Sequence, residues 1–128
     1  MIVNIILLAC TFTTIESMFL YLMRNNFQKM IMKVQNSELR LKILPTILCY
    51  IILISSIYYF IIYKNGTLLD AFLLGFFIYG VYETTNMSIL KDWNYKIGII
   101  DTIWGGILFL STTYFYRLII YRIFNTIG

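Results

Sequence analysis

Four stretches of about twenty mostly apolar residues, separated by short polar connections, constrain this chain more than any other feature. They run at about 3–23, 43–63, 68–90 and 97–116. At ~1.5 Å per helical residue, each can cross a hydrocarbon core of ~30 Å. In lipid only helices and closed barrels satisfy their own backbone polar groups, and continuous apolar runs of this length read as helices. The expected fold is all-α, a four-transmembrane-helix bundle forming a single membrane domain over residues 1–128. Composition argues against a soluble core. With 60% hydrophobic and 12% charged residues, too little polar surface remains to cover one.

Local signals place the ends of the spans. The first run lacks the basic leader and small-residue cleavage site of a signal peptide, and it contains Thr11, Thr13, Thr14, Glu16 and Ser17. It is expected to be a retained helix. Pro45 falls in the first turn of the second run, where its missing N–H is not needed. Tyr58, Tyr59 and Tyr63 crowd the far end of that run, as an aromatic belt would. Asn65-Gly66 then signals a turn. Asn65-Gly66-Thr67 also fits a glycosylation pattern, but so short a loop is expected to lie too near the membrane for modification. Asp70 suits the first turn of the third helix, and Gly75 and Gly80 would let a neighbouring helix approach closely.

The ten Lys and Arg residues give a net charge of +4 but no dense basic patch, so no nucleic-acid partner is expected. Arg24, Lys29, Lys33, Arg40 and Lys42 cluster between the first two spans, opposed by Glu38. Phe27, Met30, Ile31 and Val34 recur there at helical spacing. This pattern fits an interfacial amphipathic helix within 24–42 whose cations meet anionic lipid headgroups, or a plain solvated loop. Loops 24–42 and 91–96 together hold Lys and Arg at 24, 29, 33, 40, 42, 91 and 96, against 64, 117 and 122 on the other side. The positive-inside rule puts these two loops in the cytoplasm and both termini on the opposite side. The loop Lys91–Lys96 offers Trp93 and Tyr95 to the interface.

Against this apolar background, a few polar side chains stand out. Glu16, Glu83, Asn86 and Asp101 lie inside the spans, all in the half nearer loops 24–42 and 91–96. Counting ~1.5 Å per residue places them about 6–10 Å deep. Ionisable groups at that depth mark functional sites by default. Lipid cannot satisfy them, so their faces are expected to meet inside the bundle: Thr13, Glu16, Ser17 and Leu20 on the first helix, Tyr79, Gly80, Glu83 and Asn86 on the third, and Asp101, Trp104 and Gly105 on the fourth. At least one carboxyl is expected to be protonated or to pair with Arg24, Lys91 or Lys96 reaching in from the interface. Cys10 and Cys49 fall at different depths, too far apart to bridge, and read as small buried apolar residues.

The segments Tyr82-Glu83-Thr84-Thr85-Asn86, Trp93 and Asp101-Thr102-Ile103-Trp104-Gly105 also carry a resemblance. Together they are similar to the signature of domain-of-unknown-function family 2177, small proteins described only as predicted membrane proteins. In that family an aromatic-rich helix ends in Tyr-Asp-x-Thr-Asn, followed by a Trp and then Asp-x-x-Trp-Gly. Glu83 stands where the family usually has Asp, and Glu16 resembles the acidic residue of its first helix. Residues 24–42 are the least family-like. The resemblance implies a four-helix membrane fold, with Tyr82, Trp93, Trp104 and Gly105 supporting the polar cluster. It supplies no reaction, substrate or cofactor.

Three functional classes remain, in decreasing order of support. The first is a structural or interaction membrane protein whose polar cluster fixes the bundle, alone, as a homo-oligomer or beside another membrane protein. The residue choice favours Ile, Tyr, Phe, Asn and Lys, all residues of AT-rich codons, with only two Ala and three Val. A component of a viral internal membrane is the narrow form of this class that the bias suggests. The second class is a proton- or cation-coupled channel or carrier using the intramembrane carboxylates. The third, an enzyme, is not expected: the chain has no histidine and no sequence sign of a nucleophile beside a base. No metal or cofactor is expected either.

Overall fold

The computed structural model describes residues 1–127. Four helices follow in chain order: α1 over Ile2–Gln35, α2 over Ile43–Ile57, α3 over Leu68–Ile89 and α4 over Tyr95–Ile127. Helix α2 continues through a wider π-helical turn, Tyr58–Tyr63. All four are long and apolar enough to cross a membrane, α2 together with its continuation. The described residues form no strand.

Each helix ends where its local chemistry permits. Helix α1 stops at Asn36, which adopts a left-handed conformation (φ 56°) and donates its N–H to the Met32 carbonyl. Asn65 is also left-handed (φ 55°), and the Gly66 N–H closes the turn onto the Ile61 carbonyl at 2.7 Å. Arg117 of α4 completes that corner by donating to the Gly66 carbonyl at 2.6 Å. The same guanidinium also reaches the Ile61 carbonyl at 3.4 Å, capping the end of the π-helical turn. Helix α3 opens with a reciprocal capping box. The Asp70 N–H donates to the Thr67 hydroxyl at 3.0 Å, and the Thr67 N–H donates to the Asp70 carboxylate at 2.8 Å.

Helices α3 and α4 form the closest pair, an antiparallel hairpin, and α1 lies against α4. The hairpin is tight because glycine meets glycine. A Cβ on Gly75 would collide with the Gly105 carbonyl, and a Cβ on Gly105 would lie 2.7 Å from the Gly75 carbonyl. Gly80 is less pressed, meeting only the Thr102 methyl at 3.3 Å. One core cluster, including Leu8, Phe12, Ile57, Ala71, Leu108 and Phe109, draws on all four helices. Phe12 anchors it with edge-on contacts to Tyr50 and Phe109. Outward, the surface is apolar: Ile6, Ile52, Phe77 and Val81 are all exposed, as lipid-facing positions should be.

Two expectations are corrected here. Residues 24–35 form no separate interfacial helix; they are the continuation of α1, which at 34 residues is ~50 Å long. Nor does their apolar face lie on headgroups. Met30 is buried with Trp93 and Ile97, and Phe27, Ile31 and Val34 pack around them. The α3–α4 loop offers an apolar surface that α1 can cover, and burial there removes more area than an interface would. Cys10 and Cys49 are free thiols on the exposed outer face rather than buried ones. In a membrane an apolar thiol is equally well accommodated by lipid.

The glycine contact yields a graded prediction. Gly105→Ala should lower stability by about 1–3 kcal/mol, the cost of overpacking against the base of the Tyr79 side chain and the Gly75 carbonyl. Gly80→Ala, with only a side-chain methyl in its way, should cost less. Thermal unfolding in detergent checks the order, and equal effects of the two substitutions would contradict the close approach.

Candidate functional site

Three helices each bury a carboxyl group in the bundle interior. Glu16 of α1, Glu83 of α3 and Asp101 of α4 are 6%, 0% and 7% exposed. Buried charges and polar groups at this depth need donors. The chain has two tryptophans, and each supplies one. Trp104 donates its indole N–H to Glu16 Oε2 at 3.0 Å, and Trp93 donates its own to Glu83 Oε2 at 2.7 Å. The Tyr79 hydroxyl adds a longer contact to Glu16 Oε2, at 3.5 Å. These bonds tie α1 to α4, the α3–α4 loop to α3, and α3 back to α1.

Local packing aims each donor. Trp104 stacks on Phe19 of α1 with centroids 4.4 Å apart and planes 9° from parallel. That stacking holds the indole edge toward Glu16, one turn earlier on α1. Trp93 is turned inward: it is 8% exposed, packed with Met30 and Ile97, and met edge-on by the Tyr82 ring at 6.4 Å. Asp92 precedes it in a left-handed conformation (φ 62°). The Asn94 N–H donates to Met30 Sδ at 3.4 Å, and Asn94 Oδ1 accepts the Ile97 N–H at 3.2 Å, capping the start of α4. Gly98 leaves room beside the pair, since a Cβ there would lie 3.2 Å from Glu83 Oε2 and strike the Met87 methyl.

One oxygen stands apart. Glu83 Oε1 is buried and has no hydrogen-bond partner. The Asp101 carboxyl, itself buried on α4, is a near neighbour of the Glu83 side chain. Among the described residues no three acidic or sulfur side chains converge closely enough to hold a metal ion.

The structure buries Glu16, Glu83 and Asp101 alike, but Glu16 is bonded to Trp104 and Tyr79 and Glu83 to Trp93, with no bond between the two glutamates. Asn86 is half-buried and lies one turn from Tyr82, beside its hydroxyl; it is not a hydrogen-bond partner of Glu16 or Glu83. The expected first-helix face is only partly right. Glu16 is buried in line with Leu8 and Phe12, whereas Thr13, Ser17 and Leu20 are exposed. Thr13 spends its hydroxyl on the Ala9 carbonyl, which frees it to face lipid. The expected cationic partners stay outside: Arg24, Lys91 and Lys96 are exposed, and the Arg24 guanidinium sits over the Tyr21 ring. Indole N–H groups take their place, and they bring no second charge to desolvate. Met87 and Gly98 escaped sequence reasoning; only the position of Gly98, one turn before Asp101, could have hinted at the latter.

The predicted-membrane-protein model DUF2177 matches residues 1–117. The chain belongs to the DUF2177 family. The match spans the first three helices, most of α4 and every residue of the carboxyl–indole cluster. As a member of this family the chain is an integral, multi-pass membrane protein, consistent with its four candidate spans. Searches of curated proteins and of solved structures return no match.

The pairing of each glutamate with its own tryptophan is testable in this DUF2177 member by a double-mutant cycle. Trp93→Phe should destabilise the fold by about 1–3 kcal/mol, because it strands a buried acceptor. In a Glu83→Leu background, where no acceptor remains to be stranded, the same change should cost measurably less, giving a coupling of at least about 0.5 kcal/mol. Additive effects in thermal unfolding would contradict the pairing.

Proposed function

We propose that this protein is a structural or interaction component of its membrane, and that the carboxyl–indole cluster fixes the helices in one arrangement. The observation that carries this reading is that Glu16 and Glu83 are each hydrogen-bonded by a tryptophan from another part of the fold, at 3.0 and 2.7 Å. Polar groups committed to one another specify which helix faces meet, a role that apolar contacts fill poorly in lipid. The extensive exposed apolar surface leaves room for a second copy or another membrane protein against the bundle. The excess of Lys and Arg in segments 24–42 and 91–96 supports a cytoplasmic position for that end, with both termini opposite. The AT-rich-codon residue bias is all that supports the narrower form, a component of a viral internal membrane. No catalytic step belongs to this reading.

A second reading is favoured by the unpartnered Glu83 Oε1 beside Asp101. A proton held between two carboxyls from two helices is the elementary requirement of a proton-coupled carrier. Proteoliposomes carrying a pH-sensitive dye distinguish the two. The structural reading predicts no proton flux above that of empty vesicles, together with a lower unfolding temperature for Glu83→Gln. A flux that Glu83→Gln and Asp101→Asn each abolish, while the folded protein persists, would replace it with the carrier reading.

A further inference from the structure

The continuation of α1 beyond the membrane does more than cover Trp93. Between it and the α3–α4 loop lies a cleft of about 320 Å³, lined by Asn26, Lys29, Lys33, Asp92, Trp93 and Asn94 above the buried Met30 and Ile97. Lys29 and Lys33 are one turn apart and so share a face of α1. On the other wall, Asn94 caps α4 and Ile97 lies in its first turn, at the positive dipole end that favours an anion. Cations on one wall, a helix start on the other and side-chain amides on both form an anion-binding arrangement, opposed only by Asp92. The floor is apolar.

We infer that this cleft binds the phosphate of an anionic phospholipid, with Lys29 and Lys33 as its cationic contacts. Depth selects this occupant. The first apolar run ends near residue 23 and the fourth begins near residue 97, so Asn26 and Ile97 set the mouth of the cleft within about 5 Å of the hydrocarbon edge, at headgroup level. Lys29 stands about 9 Å out along α1, from where its stem reaches back toward that level, and Lys33 follows one turn further out. The apolar floor of Met30, Trp93 and Ile97 suits the glycerol end of a lipid better than a free, hydrated ion. Only two of the five cations in 24–42 line the cleft, so this is a defined site rather than a diffuse basic patch. Trp93 forms part of its wall and also holds Glu83, so headgroup occupancy would bear directly on the buried cluster. The inference needs only the membrane fold and is independent of what the cluster does.

Native mass spectrometry of the detergent-solubilised protein, titrated with phosphatidylglycerol, tests it. The wild type should retain one tightly held lipid. The double variant Lys29→Gln/Lys33→Gln should weaken retention about tenfold or more, at ~1 kcal/mol for each lysine lost near a lipid surface. The variant Arg40→Gln/Lys42→Gln, altered outside the cleft, should bind as wild type. Asp92→Asn removes the opposing charge and keeps a residue that tolerates the left-handed backbone, so it should tighten retention, a gain that misfolding cannot mimic. Equal losses in both lysine/arginine double variants, or no gain in Asp92→Asn, would overturn the site. Displacement of the lipid by millimolar inorganic phosphate would overturn the lipid as its occupant.

Discussion

A carboxylate in hydrocarbon must find a donor or give up its charge, and the structure turns on how this chain meets that demand. It meets it with neutral indole N–H groups rather than with lysine or arginine. Both tryptophans of the chain serve this one purpose, Trp104 for Glu16 and Trp93 for Glu83. An indole carries its own apolar surface into the bundle and needs no compensating charge, so the bonds hold without drawing interfacial cations out of water.

The rest of the architecture can be read as what keeps those two donors aimed. The Gly75–Gly105 contact sets the spacing of α3 and α4, placing Tyr79 beside Gly105 and Glu83, one turn further along α3, beside Gly98. Phe19 holds the Trp104 ring flat, and the buried Met30 of α1 packs over Trp93 from outside. The capping box of α3 and the Arg117 cap at the α2–α3 corner secure the opposite end. These are features of connection and register, and they explain why α1 runs on to Gln35 instead of ending at the membrane surface.

Much of this was legible in the sequence. Apolar runs of membrane-spanning length define the helices, and the cost of burying Glu16, Glu83 and Asp101 in lipid predicts that they turn inward, as they do. What the sequence concealed were directions. Trp93 in a loop between lysines looks like an interfacial anchor, and only the tertiary cover provided by Met30 turns it inward. Phe27, Met30, Ile31 and Val34 show a helical apolar face but not what it faces, because a protein loop and a headgroup layer select the same pattern. Thr13 and Ser17 share the helical face of Glu16 by spacing, yet a hydroxyl bonded to its own backbone, as that of Thr13 is, can face lipid as easily as protein. The cysteines reveal the same ambiguity, since apolar residues are at home on either side of a membrane helix.

The central claim is that two specific indole–carboxylate bonds hold the bundle, and nitrogen-15 NMR of the tryptophan side chains in detergent micelles tests it most directly. The account predicts two indole N–H resonances slow to exchange with solvent. Glu16→Leu, which removes the acceptor, should shift and deprotect the Trp104 signal alone, and Glu83→Leu the Trp93 signal alone. Indole protons that exchange freely in the wild type, or that ignore the loss of their carboxylate, would contradict it.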